Sequence, residues 1–193
     1  MAITKNNTRM LEGTLGVDKL SATGTKDATT FLRGDNTFAA PAAPSVGNSP
    51  YFNGKKASDQ TITRNTMTTV TGFTNGEIDS DSAFDGTTFT VPSGKAGVYF
   101  FSALVTNSFN TVGSDGERCL VTFMKNGSDS NMPSSDFTKA SGYNINKYTN
   151  TITAVLNLAV GDAMTVAVYN KDGDASGDAY VNTNSTFMGF KLA

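Results

Sequence analysis

Apolar and polar residues alternate with the period of a β-strand along the last three quarters of the chain. In residues 151–158, Ile152, Ala154, Leu156 and Leu158 alternate with mostly polar neighbours, the pattern of a strand with one wet face. Strand signals fall at residues 60–70, 87–91, 97–109, 117–125, 149–158, 162–169 and 185–192. Turn pairs separate them: Asn75-Gly76, Asp85-Gly86, Ser93-Gly94, Asn126-Gly127, Gly161-Asp162 and Asp172-Gly173. No stretch carries a sustained helical stripe. This spacing predicts an all-β sandwich or jelly roll over residues 48–193.

Three of the strands are apolar on both faces. Tyr99, Phe101, Ala103 and Val105 oppose Val98, Phe100 and Leu104; Met164, Val166 and Val168 oppose Ala167 and Tyr169; Leu120 and Met124 oppose Val121 and Phe123. A two-sheet sandwich buries one face of each sheet against the other. The second apolar face therefore needs another cover, and a symmetric subunit interface is the natural one.

Residues 1–47 read differently. The apolar residues of 1–24 keep neither period for long, so the segment is disordered or docked on something larger. Residues 25–47 become rich in Thr, Ala, Pro and Gly and end in Ala39-Ala40-Pro41-Ala42-Ala43-Pro44, a linker composition.

Composition narrows the chemistry. Fifteen Lys and Arg against 17 Asp and Glu leave a formal net charge of -2, which offers no basic surface for nucleic acid or an anionic membrane. There is no histidine and one cysteine, Cys119, so His-based triads and metal sites, internal disulfides and multi-cysteine clusters are excluded. The first residues lack a signal-peptide pattern, and no apolar run approaches the about 20 residues of a membrane helix. Synthesis in a cytoplasm without membrane insertion is expected.

Four ordered segments resemble the globular head of complement one-q, within the tumour-necrosis-factor-like jelly-roll superfamily. They are Phe89-Thr90-Val91-Pro92 followed by Gly97-Val98-Tyr99-Phe100-Phe101-Ser102; Val121 to Gly127, ending Lys125-Asn126-Gly127; Leu156-Asn157-Leu158 with Gly161-Asp162; and Ser185 to Leu192. The departures are the longer stretch Ser93-Gly94-Lys95-Ala96 and the missing collagen-like stalk. The resemblance implies a ten-stranded jelly roll assembled as a tight homotrimer, with Tyr99, Phe101 and Tyr169 as candidates for core or interface.

Upstream, Thr30-Phe31-Leu32-Arg33-Gly34-Asp35-Asn36-Thr37-Phe38 with Pro41 resembles the collar motif of phage tail-fibre and related virion proteins, with Asn36 for a glycine and Phe38 for a tryptophan. This resemblance implies that Phe31, Leu32 and Phe38 pack with their symmetry mates, and that Arg33 pairs with Asp35 of a neighbour. The Arg33-Gly34-Asp35 triplet alone is too short to argue integrin binding.

Little catalytic material remains. Asp172, Asp174 and Asp178 follow the alternate-oxygen spacing of a calcium loop, but Thr183 at the twelfth position has no carboxylate, so a solvated turn is the favoured reading. Asp115 with Glu117 sits in a Gly-rich stretch like many acidic pairs, and Cys119 in a strand reads as a small buried apolar residue. No enzyme and no cofactor is expected, calcium being the only ion with a candidate site. The combined expectation is a phage virion structural protein. Residues 1–24 dock on a capsid or tail protein, 25–47 form the collar, and 48–193 form a trimeric fibre or knob on the virion surface. Host glycans or proteins are met by polar loops at 106–116, 128–142 and 170–178. A decoration protein without host binding, or a fibre-borne carbohydrate-active enzyme, are the alternatives.

Overall fold

The computed structural model describes residues 21–41, 48–109, 118–138, 146–171 and 179–193. The chain divides into two compact units, Met1–Ser45 and Val46–Ala193.

In the first unit, β1 (Phe31–Leu32) pairs antiparallel with β2 (Phe38–Ala39), Leu32 facing Phe38. The turn between them explains its sequence. The Asn36 amide donates to the Arg33 carbonyl at 3.0 Å and the Arg33 amide to the Thr37 carbonyl at 2.8 Å. Asn36 sits at φ 62°, the left-handed conformation that glycine and asparagine adopt at least cost. Glycine and asparagine are thus interchangeable at this position. Asp35 accepts from the Thr37 amide and hydroxyl at 3.1 and 2.6 Å, which lowers its pKa. Arg33 Nε stands 3.9 Å from Asp35 of its own turn, so within one chain this pair is local.

The second unit is a two-sheet antiparallel sandwich. One sheet holds β3 (Tyr51–Lys56), β4 (Gln60–Ile62), β6 (Phe73–Asp79), β8 (Gly97–Phe109), β11 (Lys147–Leu158), β13 (Ala179–Val181) and β14 (Thr186–Lys191). The other holds β5 (Met67–Thr69), β7 (Phe89–Thr90), β9 (Arg118–Lys125), β10 (Ser134–Thr138) and β12 (Ala163–Lys171). Every ladder is antiparallel, and β8 is central, paired with β11 along its length on one side and with β13 and β14 on the other. The all-β jelly-roll sandwich expected from the spacing is present.

Three local expectations are corrected. The strand expected at 60–70 is two strands in different sheets, because Asn65 turns the chain at φ 56° and its amide donates to the Asn170 carbonyl at 2.8 Å. Asn75-Gly76 is not a turn. It lies within β6, where the ladder slips between Asn53, facing Ile78, and Gly54, facing Asn75; an Asn-Gly pair suits such a bulge as well as a hairpin. The run at 87–91 shortens to β7 because Asp85 accepts from the amides of Thr87 and Thr88 at 2.8 and 2.7 Å, holding a turn.

The core lies between the sheets and is built from aromatic rings. Phe52, Phe84, Phe89, Phe101 and Phe187 make contacts with ring centroids 4.5 to 6.3 Å apart, beyond simple area burial in value. Two glycines make room for them. A Cβ on Gly54 would lie 2.7 Å from the Phe84 ring, and one on Gly189 would lie 2.5 Å from Phe101 and 2.8 Å from Phe52.

Both ends of this unit's chain meet at one end of the sandwich, here called proximal. The Leu192 amide donates to the Val98 carbonyl at 2.7 Å, the Val98 amide to the Ala193 carbonyl at 3.0 Å, and Lys95 Nζ to Ser49 Oγ at 2.7 Å. The turns after β9 and before β12 are also proximal and clasp each other. Asp162 accepts from Asn126 Nδ2, from the Ala159 amide and from Lys125 Nζ, each at 2.8 Å, while the Ala163 amide donates to Asn126 Oδ1 at 2.8 Å. The expected loop at 128–142 is therefore divided: β9 and β10 form a hairpin, so residues 126–133 turn at the proximal end, β10 ends distally at Thr138, and residues 139–142 lie outside the described residues. β8 and β12 end distally at Phe109 and Lys171, and residues 110–117 and 172–178, which hold most of the expected loops at 106–116 and 170–178, lie outside the described residues.

Candidate functional site

Toward its proximal end the outer face of the seven-stranded sheet carries an uncharged, largely apolar patch. Strand register aligns Val155, Phe100, Phe190 and Tyr51 in one row, and Thr153, Ser102, Met188, Asn53 and Ile78 in the next. None of these nine is charged. Val155 is 62% exposed, Ile78 48%, Tyr51 39% and Met188 37%. The rings of Phe100 and Phe190 lie 5.3 Å apart, and a groove of roughly 320 Å³ runs between Tyr51, Ile78, Met188 and Phe190 beside Asn48 and Asn53. Scattered exposed apolar residues need no explanation, but a contiguous uncharged patch on one flat face marks a contact surface.

The outer face of the other sheet differs. Its register places Asp136, Leu120, Tyr169 and Met67 in one row. Arg118 binds Asp136 there, through Nε at 2.7 Å and Nη2 at 2.6 Å, and the bonded carboxylate raises the guanidinium pKa. That face is mixed in polarity. The two sheets are thus unequal, and the seven-stranded one carries the candidate surface.

The residues singled out from the sequence fall in separate places. Tyr99 and Phe101 are fully buried between the sheets. The Tyr99 hydroxyl donates to the Lys95 carbonyl at 2.5 Å, and burial pushes its pKa up to about 12. Tyr169 is half-buried on the mixed outer face, and Phe31 (49% exposed) and the half-buried Phe38 belong to the first unit's hairpin. Asp172, Asp174, Asp178, Asp115 and Glu117 lie outside the described residues. Among those described, no three His, Cys, Asp or Glu side chains are grouped to hold a metal ion, and no helix is long and apolar enough to cross a membrane. Cys119 is buried, and burial drives its thiol up to about 12, far from a nucleophile's range. Lys56 is also buried: its ammonium donates to the Thr71 carbonyl at 2.6 Å, holding the crossover between the sheets, and burial lowers its pKa.

Sequence reasoning missed Tyr51, Ile78, Val155, Met188 and Phe190. The signal was available in β14, which carries Phe187 inward and Met188 and Phe190 outward, the same doubled apolar pattern as β8.

No family model matches the chain, and no curated protein does. Solved structures match. The globular domain of zebrafish complement 1qA protein aligns with a TM-score of 0.51 at 19% identity, covering 75% of this chain and 98% of that one. A structure of the tumour-necrosis factor Eiger from S. frugiperda aligns with a TM-score of 0.48 at 15% identity, covering 74% and 90%. The head is a complement one-q-like jelly roll. At this identity the likeness establishes the fold alone; the reading of what the head does rests on its surface.

Proposed function

We propose that the chain is a homotrimeric virion-surface protein whose head, residues 48–193, is presented as a fibre or knob for host-surface adhesion. The observation that carries the trimer is the uncharged apolar face of Val155, Phe100, Phe190, Tyr51, Met188 and Ile78. A soluble head gains by covering such a face, and a symmetric set of copies covers it with no further partner. The first unit supports the same reading, because a two-stranded hairpin leaves Phe31 and Leu32 49% and 44% exposed, ready to pack with equivalent chains.

The virion assignment rests on the tail-fibre-like collar. Residues 1–24 dock on a capsid or tail protein, 25–47 set three chains in register, and assembly in the host cytoplasm puts the heads on the particle surface. Adhesion fits polar distal loops whose weak contacts with a host glycan or protein are multiplied by copy number.

Light scattering tests the trimer: three copies of the 20.3 kDa chain are expected, and a monomer refutes it. Antibody labelling of intact particles tests the location. For adhesion, the purified trimer competes with particles for adsorption. Deleting the gene and finding normal adsorption with fragile particles would replace adhesion by decoration.

A further inference from the structure

Toward the distal end, where Phe109, Val181, Ala179, Ile62 and Cys119 keep the core apolar, two asparagines interrupt it. The inward row of β8 runs Tyr99, Phe101, Ala103, Val105 and then Asn107; that of β12 runs Met164, Val166, Val168 and then Asn170. Both asparagines are fully buried. Among the described residues, neither the amide nitrogen nor the oxygen of either side chain has a hydrogen-bond partner. Buried carboxamides are almost always satisfied, and each left dry costs the full desolvation of the group.

The two stand on opposite sheets at one level. Asn107 pairs with Tyr148, and the Tyr148 ring stacks on Phe137 across the sandwich at 4.5 Å. Phe137 pairs with Cys119, and Cys119 pairs with Asn170. Nearby, Asn150 shows what a direct crossing looks like: its Nδ2 donates to Ser135 Oγ at 3.0 Å, though its Oδ1 has no partner among the described residues. With Tyr148 against Phe137, the next position puts Asn107 opposite Cys119 and the one after puts Val181 opposite Asn170, so the two asparagines stand one strand apart on a diagonal. Sheets lie about 10 Å apart, and a diagonal of that kind is spanned by more than one bridging water.

We propose that the distal core encloses a water site in which ordered waters bridge Asn107, Asn170 and the Asn150 Oδ1 atom, linking the two sheets. The chemistry of the lining selects water over an ion. A carboxamide presents N–H donors and a carbonyl acceptor together. A cation would leave the N–H groups unmet, an anion the carbonyl oxygens, whereas water satisfies both. About one buried water per 27 residues is ordinary, so a head of this size accommodates such a cluster.

The test is oxygen-17 relaxation dispersion of solvent water on the full-length protein, which reads waters held inside for longer than the tumbling time. Wild type is expected to show the long-lived component, and Asn107→Val/Asn170→Val to lose it and melt at a lower temperature. An unchanged component in the double variant overturns the proposal. So does a higher melting temperature, since that is what removing dry, unpaired amides would give. Should the double variant fail to fold, Asn107→Ser is polar and smaller. It is expected to keep or enlarge the component, and its loss there refutes the site.

Discussion

Val155→Glu separates a surface strand from a subunit interface. In an isolated head the side chain is 62% exposed on β11, so the change is worth at most about 1 kcal/mol through strand propensity. In a trimer closed on this face the same change acts twice. Full burial of a Val side chain is worth about 1.5–3 kcal/mol, so losing the exposed part costs about 1–2 kcal/mol per protomer. A carboxylate stranded in an apolar contact adds several kcal/mol unless it protonates. A total above about 3 kcal/mol weakens each protomer's association at least 100-fold. The assay is light scattering after size exclusion at micromolar concentration, with circular dichroism to confirm that the sandwich persists. The expected result is a folded monomer. Met188→Glu, 37% exposed on β14 within the same patch, provides an independent second position. If both variants keep the wild-type mass and melting temperature, the apolar face is not the interface.

Gly189→Ala places a Cβ 2.5 Å from the Phe101 ring and 2.8 Å from Phe52; the overpacking should cost about 1–3 kcal/mol and lower the melting temperature by roughly 2–10 °C. Phe101→Leu in that background should recover part of the loss, and an unaltered melting temperature in Gly189→Ala would contradict the packing. The Asp162 carboxylate is held at about 2, below its usual 3.8, first by its hydrogen bond from Lys125 and then by Asn126. A depressed folded-state pKa contributes stability that is complete above about pH 4 and lost as pH falls through about 2, here of order 1 kcal/mol after solvent screening. Asp162→Asn should flatten that acid limb in melting curves between pH 4 and 2, and an identical limb would remove Asp162 as its source. Cys119, its thiol pushed up to about 12, should resist iodoacetamide at pH 8 in the native head and react on denaturation; native reaction at a free-thiol rate would show that the strand is open.

What the sequence disclosed was the part of the fold written in ordered local signals. The Lys125-Asn126-Gly127 turn and the Gly161-Asp162 corner are distant in the chain yet clasp each other through Asn126 and Asp162. A pattern carrying both therefore encodes a tertiary contact. The direction of the faces was less legible. Alternation in β8 separates Tyr99 and Phe101 from Phe100, but only the partner sheet decides which set is inside. Here the buried set is Tyr99 and Phe101, and the outward set joins Val155 and Phe190. The groove residue Ile78 was hidden for a different reason: the bulge in β6 brings it opposite Asn53, and Asn75-Gly76, which suits a bulge as well as a hairpin, reads locally as a turn. Asn107 and Asn170 fall in the stretches 106–116 and 170–178 read as polar loops, whereas they lie in the buried rows of β8 and β12.

These placements bear on how a head so poor in reactive groups can act. Its single thiol is sealed in the core, it has no imidazole, and Phe52, Phe73, Phe84 and Phe101 are taken up by packing around Gly54 and Gly189. The surface proposed to meet a host is the distal end, carried on strands whose opposite end is tied through Val98, Leu192 and the Asn126–Asp162 clasp. A formal net charge of -2 offers little long-range electrostatic steering. On the proposed reading, attachment therefore gains its strength from repetition. Three heads per trimer and many trimers per particle convert weak contacts into firm ones without a tight single site. The apolar face of the seven-stranded sheet then contributes to adhesion indirectly, because it is what brings the copies together.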